Sequence, residues 1–165
     1  MSVIETRLQQ AGIVLPGPAQ PPPGFEFSFA WVRVRGSRVL VSGHSPQRPD
    51  GTFPGPFGKV PSEVSIEDAS AAARATLGPI LASVQRAIGD LDRISAWLSV
   101  TGMVNADAGY PQTTNAINGF STAVLEIFGA EVGTHARTAV GHSALPLNNA
   151  VVIGAELEID AKMVP

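Results

Sequence analysis

The sequence predicts an α+β fold in which two long helices lie on one face of a sheet. Three observations predict it. After a short N-terminal helix, segments of strand-like and helix-like periodicity follow in the order ββ, α, β, α, ββ. The two long helical segments are too few to cover both faces of such a sheet, so they belong on one face. Charged residues make up 15% of the chain and apolar residues 44%, against about 25% charged in an ordinary soluble domain. Few charges are thus available to keep the uncovered face in water. That face is expected to meet a partner subunit.

The elements follow in order. Ser2-Val-Ile-Glu5 matches a capping box, in which the serine hydroxyl and the glutamate carboxylate satisfy each other's backbone amides, so residues 2–11 form a short helix ending at Gly12. Residues 16–24 are a proline-rich connection. Residues 25–34 and 38–43 flank Arg35-Gly36-Ser37 and read as a β-hairpin. Residues 44–61 are dense in Gly and Pro and form an ordered loop. Ser65 caps a long helix that carries Ala69, Ala72, Ala73, Leu77, Ile80, Leu81, Val84 and Ile88 on one side and stops at Gly89. Gly78-Pro79 lies inside it and is expected to kink it. Residues 93–104 hold a strand, residues 114–128 a second long helix, and residues 136–142 and 151–159 two more strands. At 165 residues the chain is read as one domain, 1–165, with the helix and proline-rich entry occupying 1–24.

Composition excludes several classes of function. The formal charge is −3 with no basic block, so nothing attracts a nucleic-acid backbone. With no cysteine there is no disulfide, thiolate metal site or thiol nucleophile. Residues 1–7 lack the basic start and apolar run of a signal peptide, and no apolar stretch is long enough to span a membrane. A cytoplasmic protein that engages no membrane is the expectation.

One residue stands out. From 132 to 155, a run of 24 residues, Arg137 is the only Asp, Glu, Lys or Arg. A guanidinium is always charged, and its planar fork matches a carboxylate. Set among Ala, Val and Gly, it suggests a pocket for a small anion. A solvated strand residue or a structural ion pair is the competing explanation. Other constellations carry less. His135 and His142 differ by an odd number and point to opposite faces of one strand, with no carboxylate at ligand spacing, so no metal is expected. Residues 51–59 resemble a phosphate loop, yet Gly58-Lys59 is followed by Val60, and Pro54 and Pro56 remove amides a phosphate would need. No Gly-x-Ser-x-Gly is present, and Ser42 and Ser45 have no evident catalytic partners.

The neighbours of Arg137 add to its case. Val41-Ser-Gly-His-Ser-Pro46 follows a strand, Asn118-Gly-Phe120 sits within a helix, and Arg137-Thr-Ala-Val-Gly141 leads to Leu145-Pro146. In this order and spacing the chain resembles the YjgF/Rid family of reactive-intermediate deaminases, over residues 25–159. The Arg-(x)7-Leu-Pro element is the most specific piece, and the N-terminal entry marks a divergent subgroup. The resemblance implies a chorismate-mutase-like mixed sheet, assembled as a homotrimer with ligand clefts between subunits. It also implies hydrolysis of enamines or imines of amino acids to 2-oxo acids and ammonia, without cofactor or metal. Arg137 is then the carboxylate anchor, and the Ala139 backbone holds the reacting end of a 2-imino or 2-oxo acid. Ser42, Asn118 and Phe29 line the cleft.

Two departures qualify the resemblance. Phe29 stands where the family has a tyrosine. The glutamate that positions the attacking water, six residues after the Leu-Pro proline, is here Val152. Glu156 is the candidate replacement, but only if the strand register shifts; otherwise Glu156 and Glu158 are solvated or salt-bridged strand residues. Two functions stay open: a weak enamine or imine deaminase, and a non-catalytic binder of small carboxylates. The older family labels of endoribonuclease or translation inhibitor find no support in the charge or the few aromatics.

Overall fold

The computed structural model describes residues 2–160, so residue 1 and residues 161–165 of the predicted 1–165 domain lie outside it. Helix α1 (Val3–Gln10) opens with the predicted capping box: the Ser2 hydroxyl accepts from the Glu5 amide and the Glu5 carboxylate accepts from the Ser2 amide, both at 3.1 Å. The remaining elements are β1 (Val32–Arg35), β2 (Arg38–His44), α2 (Ile66–Ala75), α3 (Leu77–Ile88), β3 (Ile94–Asn105), α4 (Thr113–Gly133), β4 (Ala136–His142) and β5 (Val151–Ile159). The strands form one sheet in the order β1-β2-β5-β3-β4. Only β3 and β4, joined through α4, run parallel; every other neighbouring pair is antiparallel. The fold is thus a mixed α+β sheet, as the sequence predicts, and β4 is one of its two edges.

Two predicted elements are corrected. The first hairpin strand begins at Val32, not at residue 25. Phe25, Phe27, Phe29 and Trp31 alternate like a strand, but regular β2 pairing with β1 ends at Val32↔Val41, and β2 bulges between Val41 and His44. One further backbone bond, from the Ser42 amide to the Trp31 carbonyl at 3.0 Å, follows the ladder, and before it the aromatic rings pack on one another. The kinked helix predicted after Ser65 is two helices. Thr76 closes α2, donating its hydroxyl to the Ala72 carbonyl at 2.8 Å, and Pro79 falls in the first turn of α3, where its missing N–H costs nothing. Helix α4 breaks where the sequence ends it: Gly129, with φ of 76° and ψ of 173°, follows Phe128 and kinks the chain before a last turn to Gly133.

The core lies between the helices and one face of the sheet. Trp97 on β3, 1% exposed, meets Phe120 and Phe128 of α4 edge-on, with ring centroids 5.8 and 5.5 Å away. Each ring so buried contributes about 1.5–3 kcal/mol. Helix α2 crosses α4 so closely that a Cβ on Gly119 would lie 2.0 Å from the Ser70 carbonyl oxygen, so only glycine fits there. That contact sets α4, and with it the neighbouring Asn118, against β4. No helix packs on the opposite face among the described residues. Register places Leu40, Thr101, Met103, Thr138, Val140, Gly154 and Glu156 there.

Candidate ligand-binding site

The site grows from the edge strand β4. Arg137 pairs with Val100, and Ala139 with Gly102, in parallel register. Val100 is buried and the Cβ position of Gly102 faces Ile117 of α4, so Arg137 and Ala139 turn toward the helix layer. Thr114, Asn118 and Ser121 are four and three residues apart on α4 and share the facing stripe. Arg137 reaches across to all three. Its Nη1 donates to Asn118 Oδ1 at 2.9 Å and to Ser121 Oγ at 3.0 Å, and its Nη2 donates to the Thr114 carbonyl at 3.4 Å. Thr113 Oγ1 donates to the Ala139 carbonyl at 3.1 Å, tying the helix start to the same strand.

The hydroxyl of Ser121 is itself oriented. His135 Nδ1 lies 2.7 Å from the Gly133 carbonyl, which can only accept, so Nδ1 carries the proton and Nε2 accepts from Ser121 Oγ at 2.9 Å. Ser121 therefore turns a lone pair toward Arg137. All three acceptors of Arg137 are neutral. The two salt bridges among the described residues, Arg38–Glu156 and Arg74–Glu126, leave it out. Arg137 is a half-buried guanidinium held in place without a counter-charge.

The other predicted site residues lie elsewhere. Ser42 sits on β2 at the bulge, donating to the Ala30 carbonyl at 2.7 Å. It is three strands from β4, about 14 Å at about 4.8 Å per strand, and lines the opposite face of the sheet with Arg33, Thr101 and Glu156 around a cavity of about 310 Å³. Phe29 is 51% exposed, in edge-on contact with Trp31 at 4.8 Å. It shares a cavity of about 240 Å³ with Val152, Phe27 and Phe53. Val152 is buried; a Cβ on Gly43 would lie 2.7 Å from its side chain. Asn118 and Ala139 are thus brought to Arg137 within one chain, and Ser42 and Phe29 are not.

Glu156 lies four residues beyond Val152, about 13 Å along the strand at about 3.3 Å per residue. Its carboxylate accepts from Arg38 Nε at 2.6 Å, and Glu158 accepts from the Ser95 hydroxyl at 3.1 Å. Lys59 of the predicted loop turns inward, donating its ammonium to Asn105 Oδ1 and to the Ser143 carbonyl. Among the described residues no three His, Cys, Asp or Glu side chains cluster at metal-binding range. His44 is buried against Trp31, donating to the Ser42 carbonyl at 2.6 Å and bonded to Ser83 Oγ at 2.9 Å. Burial lowers its pKa from 6.5 to about 4, opposed by the Ser42 hydrogen bond and assisted by the nearby Arg86 charge.

Sequence inspection missed Thr114 and Ser121 as partners of Arg137. Their signal was present as a polar stripe at helical spacing with Asn118, on a helix otherwise rich in apolar residues.

Residues 5–157 match the family model described as "YjgF/chorismate mutase-like, putative endoribonuclease". Protein TCP17 of Trypanosoma cruzi is 33% identical over 157 residues, covering 95% of this chain and 94% of that protein. The crystal structure of Atu1372 from Agrobacterium tumefaciens, a protein of unknown function, superposes with a TM-score of 0.83 at 33% identity, covering 96% of this chain and 92% of that one. A structure from Shewanella oneidensis carrying the same endoribonuclease description superposes with a TM-score of 0.83 at 27% identity, covering 96% and 100%. No helix among the described residues is long and apolar enough to cross a membrane.

Proposed function

Because the chain belongs to the YjgF/chorismate-mutase-like family, we propose that it binds small carboxylate metabolites, 2-oxo or 2-imino acids, through Arg137. The carrying observation is the guanidinium itself. It is oriented by Asn118, Ser121 and Thr114, all neutral acceptors, and lacks a counter-charge. A carboxylate arriving there gains a charge-assisted pair without first displacing an ion pair. In this reading the Ala139 backbone, two residues along the same strand, meets the other end of a short ligand.

Self-association as a homotrimer completes this proposal. Phe29 and Ser42 are too far from Arg137, and on the wrong side of the sheet, to touch the same small molecule within one chain. A cleft holding Arg137 of one subunit and Phe29 and Ser42 of another accommodates all of them. The exposed sheet face, with Leu40 and Val140 on it, supplies apolar surface for the contact.

Hydrolysis of an imine needs water delivered to the carbon and a proton delivered to the departing nitrogen. A positioned carboxylate does this in general acid–base catalysis. Val152 has no such group, and the Glu156 carboxylate is engaged by Arg38. Orientation alone supports at most weak conversion of an enamine or imine to a 2-oxo acid and ammonia. A purely binding role, without turnover, is the second possibility, and Val152 is the observation that favours it. Measuring ammonia release from 2-aminoacrylate generated in situ, beside calorimetric binding of 2-oxobutyrate, separates the two. RNA cleavage, the older label for the family, gains no support from a net charge of −3.

A further inference from the structure

Ser121 carries more chemistry than the support of Arg137 requires. Any neutral acceptor at that place on α4 would orient the guanidinium, as Asn118 does from one turn earlier. The Ser121 hydroxyl instead has its proton drawn to an imidazole. Its Oγ lies 2.9 Å from His135 Nε2, and His135 Nδ1 donates to the Gly133 carbonyl at 2.7 Å, which leaves Nε2 as the unprotonated nitrogen. The ring also packs beside Trp97, with centroids 6.5 Å apart, and Trp97 is 1% exposed. The base is thus fixed both in tautomer and in place.

A serine hydroxyl bonded to a neutral imidazole, whose far nitrogen is held by an acceptor, is the arrangement that makes serine a nucleophile. Here the Gly133 carbonyl takes the place that a carboxylate often fills. Acyl transfer also needs positive charge where the oxyanion forms. Arg137 Nη1 donates to Ser121 Oγ at 3.0 Å. Once Oγ is bonded to an acyl carbon it accepts poorly, and that N–H can turn to the new oxyanion beside it. All three residues are half-buried, at the seam between α4 and the edge strand β4. Four residues beyond Ser121 on the same stripe of α4, Leu125 is 42% exposed and offers apolar surface to a short acyl chain.

We propose that Ser121, His135 and Arg137 act as nucleophile, base and oxyanion clamp in a second activity, the hydrolysis of short-chain carboxylic esters. Ser121 Oγ attacks the ester carbonyl carbon as its proton passes to His135 Nε2, and the oxyanion takes the Nη1 hydrogen of Arg137. Collapse breaks the bond to the leaving alkoxide oxygen, which receives the proton from His135, and an acyl-serine remains. Water then attacks the acyl carbon, giving a proton to His135. The carboxylic acid departs as His135 returns that proton to Ser121 Oγ. The activity shares Arg137 with the proposed carboxylate site, and it needs neither a carboxylate at position 152 nor a neighbouring subunit.

The probe is p-nitrophenyl acetate on the full chain, with p-nitrophenol release followed by absorbance and the acetylated residue mapped by peptide mass spectrometry. Wild type is expected to carry the acetyl group on Ser121. Ser121→Ala removes that adduct, and His135→Gln slows release by about 10²–10⁴-fold, the contribution of a positioned base. Arg137→Ala slows it by about 10²–10³-fold, as loss of an oxyanion donor does. His135→Gln separates chemistry from support: it still offers Ser121 an acceptor, so 2-oxobutyrate affinity is largely kept while acylation is lost. Equal release by wild type and Ser121→Ala, acetyl groups on other residues only, or no release at all overturns the proposal. If 2-oxobutyrate still binds through Arg137 in that event, the carboxylate reading stands alone. Acetylation at Ser121 in a protein that binds no 2-oxobutyrate overturns the carboxylate reading and leaves acyl transfer standing.

Discussion

Arg137 and Asn118 are joined by a 2.9 Å hydrogen bond from guanidinium Nη1 to amide Oδ1. This bond links the edge strand to the long helix that precedes it. Together with Ser121, it occupies both Nη1 hydrogens without neutralising the charge, and with Nη2 bonded once to Thr114 the Nε side of the guanidinium is left for a ligand. Asn118→Ala and Ser121→Ala each remove one neutral acceptor, worth about 1 kcal/mol. We expect each to weaken 2-oxobutyrate binding by roughly five-fold, with little change in thermal midpoint, since Asn118 is exposed. Calorimetry and thermal melts check this. Unchanged affinity in both variants would mean that the guanidinium needs no such support.

His135 acts one step further out, through Ser121. His135→Gln can still place an acceptor where Nε2 lies, whereas His135→Leu cannot. Gln is expected to keep most of the affinity and Leu to lose as much as Ser121→Ala. Equal loss in both would reduce His135 to a packing role beside Trp97.

Stability should depend on pH through His44. Its folded pKa of about 4 lies below the 6.5 of the unfolded chain. Above pH 6.5 the imidazole is neutral in both states and contributes nothing. As pH falls from 6.5 toward 4 the unfolded chain takes up a proton that the fold refuses, so stability is lost across that window and no further below it. At about 1.4 kcal/mol per pKa unit the full loss is about 3–4 kcal/mol. Denaturant melts of wild type and His44→Gln between pH 4 and 7 test it. A loss of the same size in the variant would assign the effect to other groups.

Catalysis is expected to be weak until a carboxylate is restored. Val152→Glu places one where the family has it, and general acid–base assistance contributes about 10²–10⁴-fold when positioned. Ammonia release from 2-aminoacrylate generated in situ is expected to rise in Val152→Glu and to be near background in wild type. Robust wild-type turnover abolished by Glu156→Gln would instead make Glu156 the base, despite its pairing with Arg38.

Light scattering in dilute solution should give three times the 17.1 kDa of one chain. A mass of one chain would remove the intersubunit cleft altogether.

Much of this was legible in the chain itself, for identifiable reasons. The capping box at Ser2 and Glu5, the strands at Ala136–His142 and Val151–Ile159 and the charge isolation of Arg137 are local patterns, and local patterns survive folding. What failed was pattern without its partner. The alternating aromatics at residues 25–31 look like a strand, but regular pairing with β2 starts only at Val32 and their rings pack on one another. Gly78-Pro79 suggested a kink within one helix, while the break comes earlier, at Thr76, where the Thr hydroxyl closes α2 on Ala72. At the site, proximity in sequence had no bearing on which acceptors Arg137 finds. Thr114 and Ser121 meet it because Gly119 lets α2 press α4 into place, a contact between segments about 50 residues apart in the chain.

The central claim is that Arg137, oriented and uncompensated, anchors the carboxylate of the ligand. Titrating 2-oxobutyrate into wild type, Arg137→Ala and Arg137→Lys by calorimetry tests it most directly. A bidentate charge-assisted pair contributes about 1.5–3 kcal/mol, so Arg137→Ala should bind roughly ten- to a hundred-fold more weakly. Arg137→Lys should recover little, because it keeps the charge and loses the fork. Equal affinity across the three proteins would contradict the account.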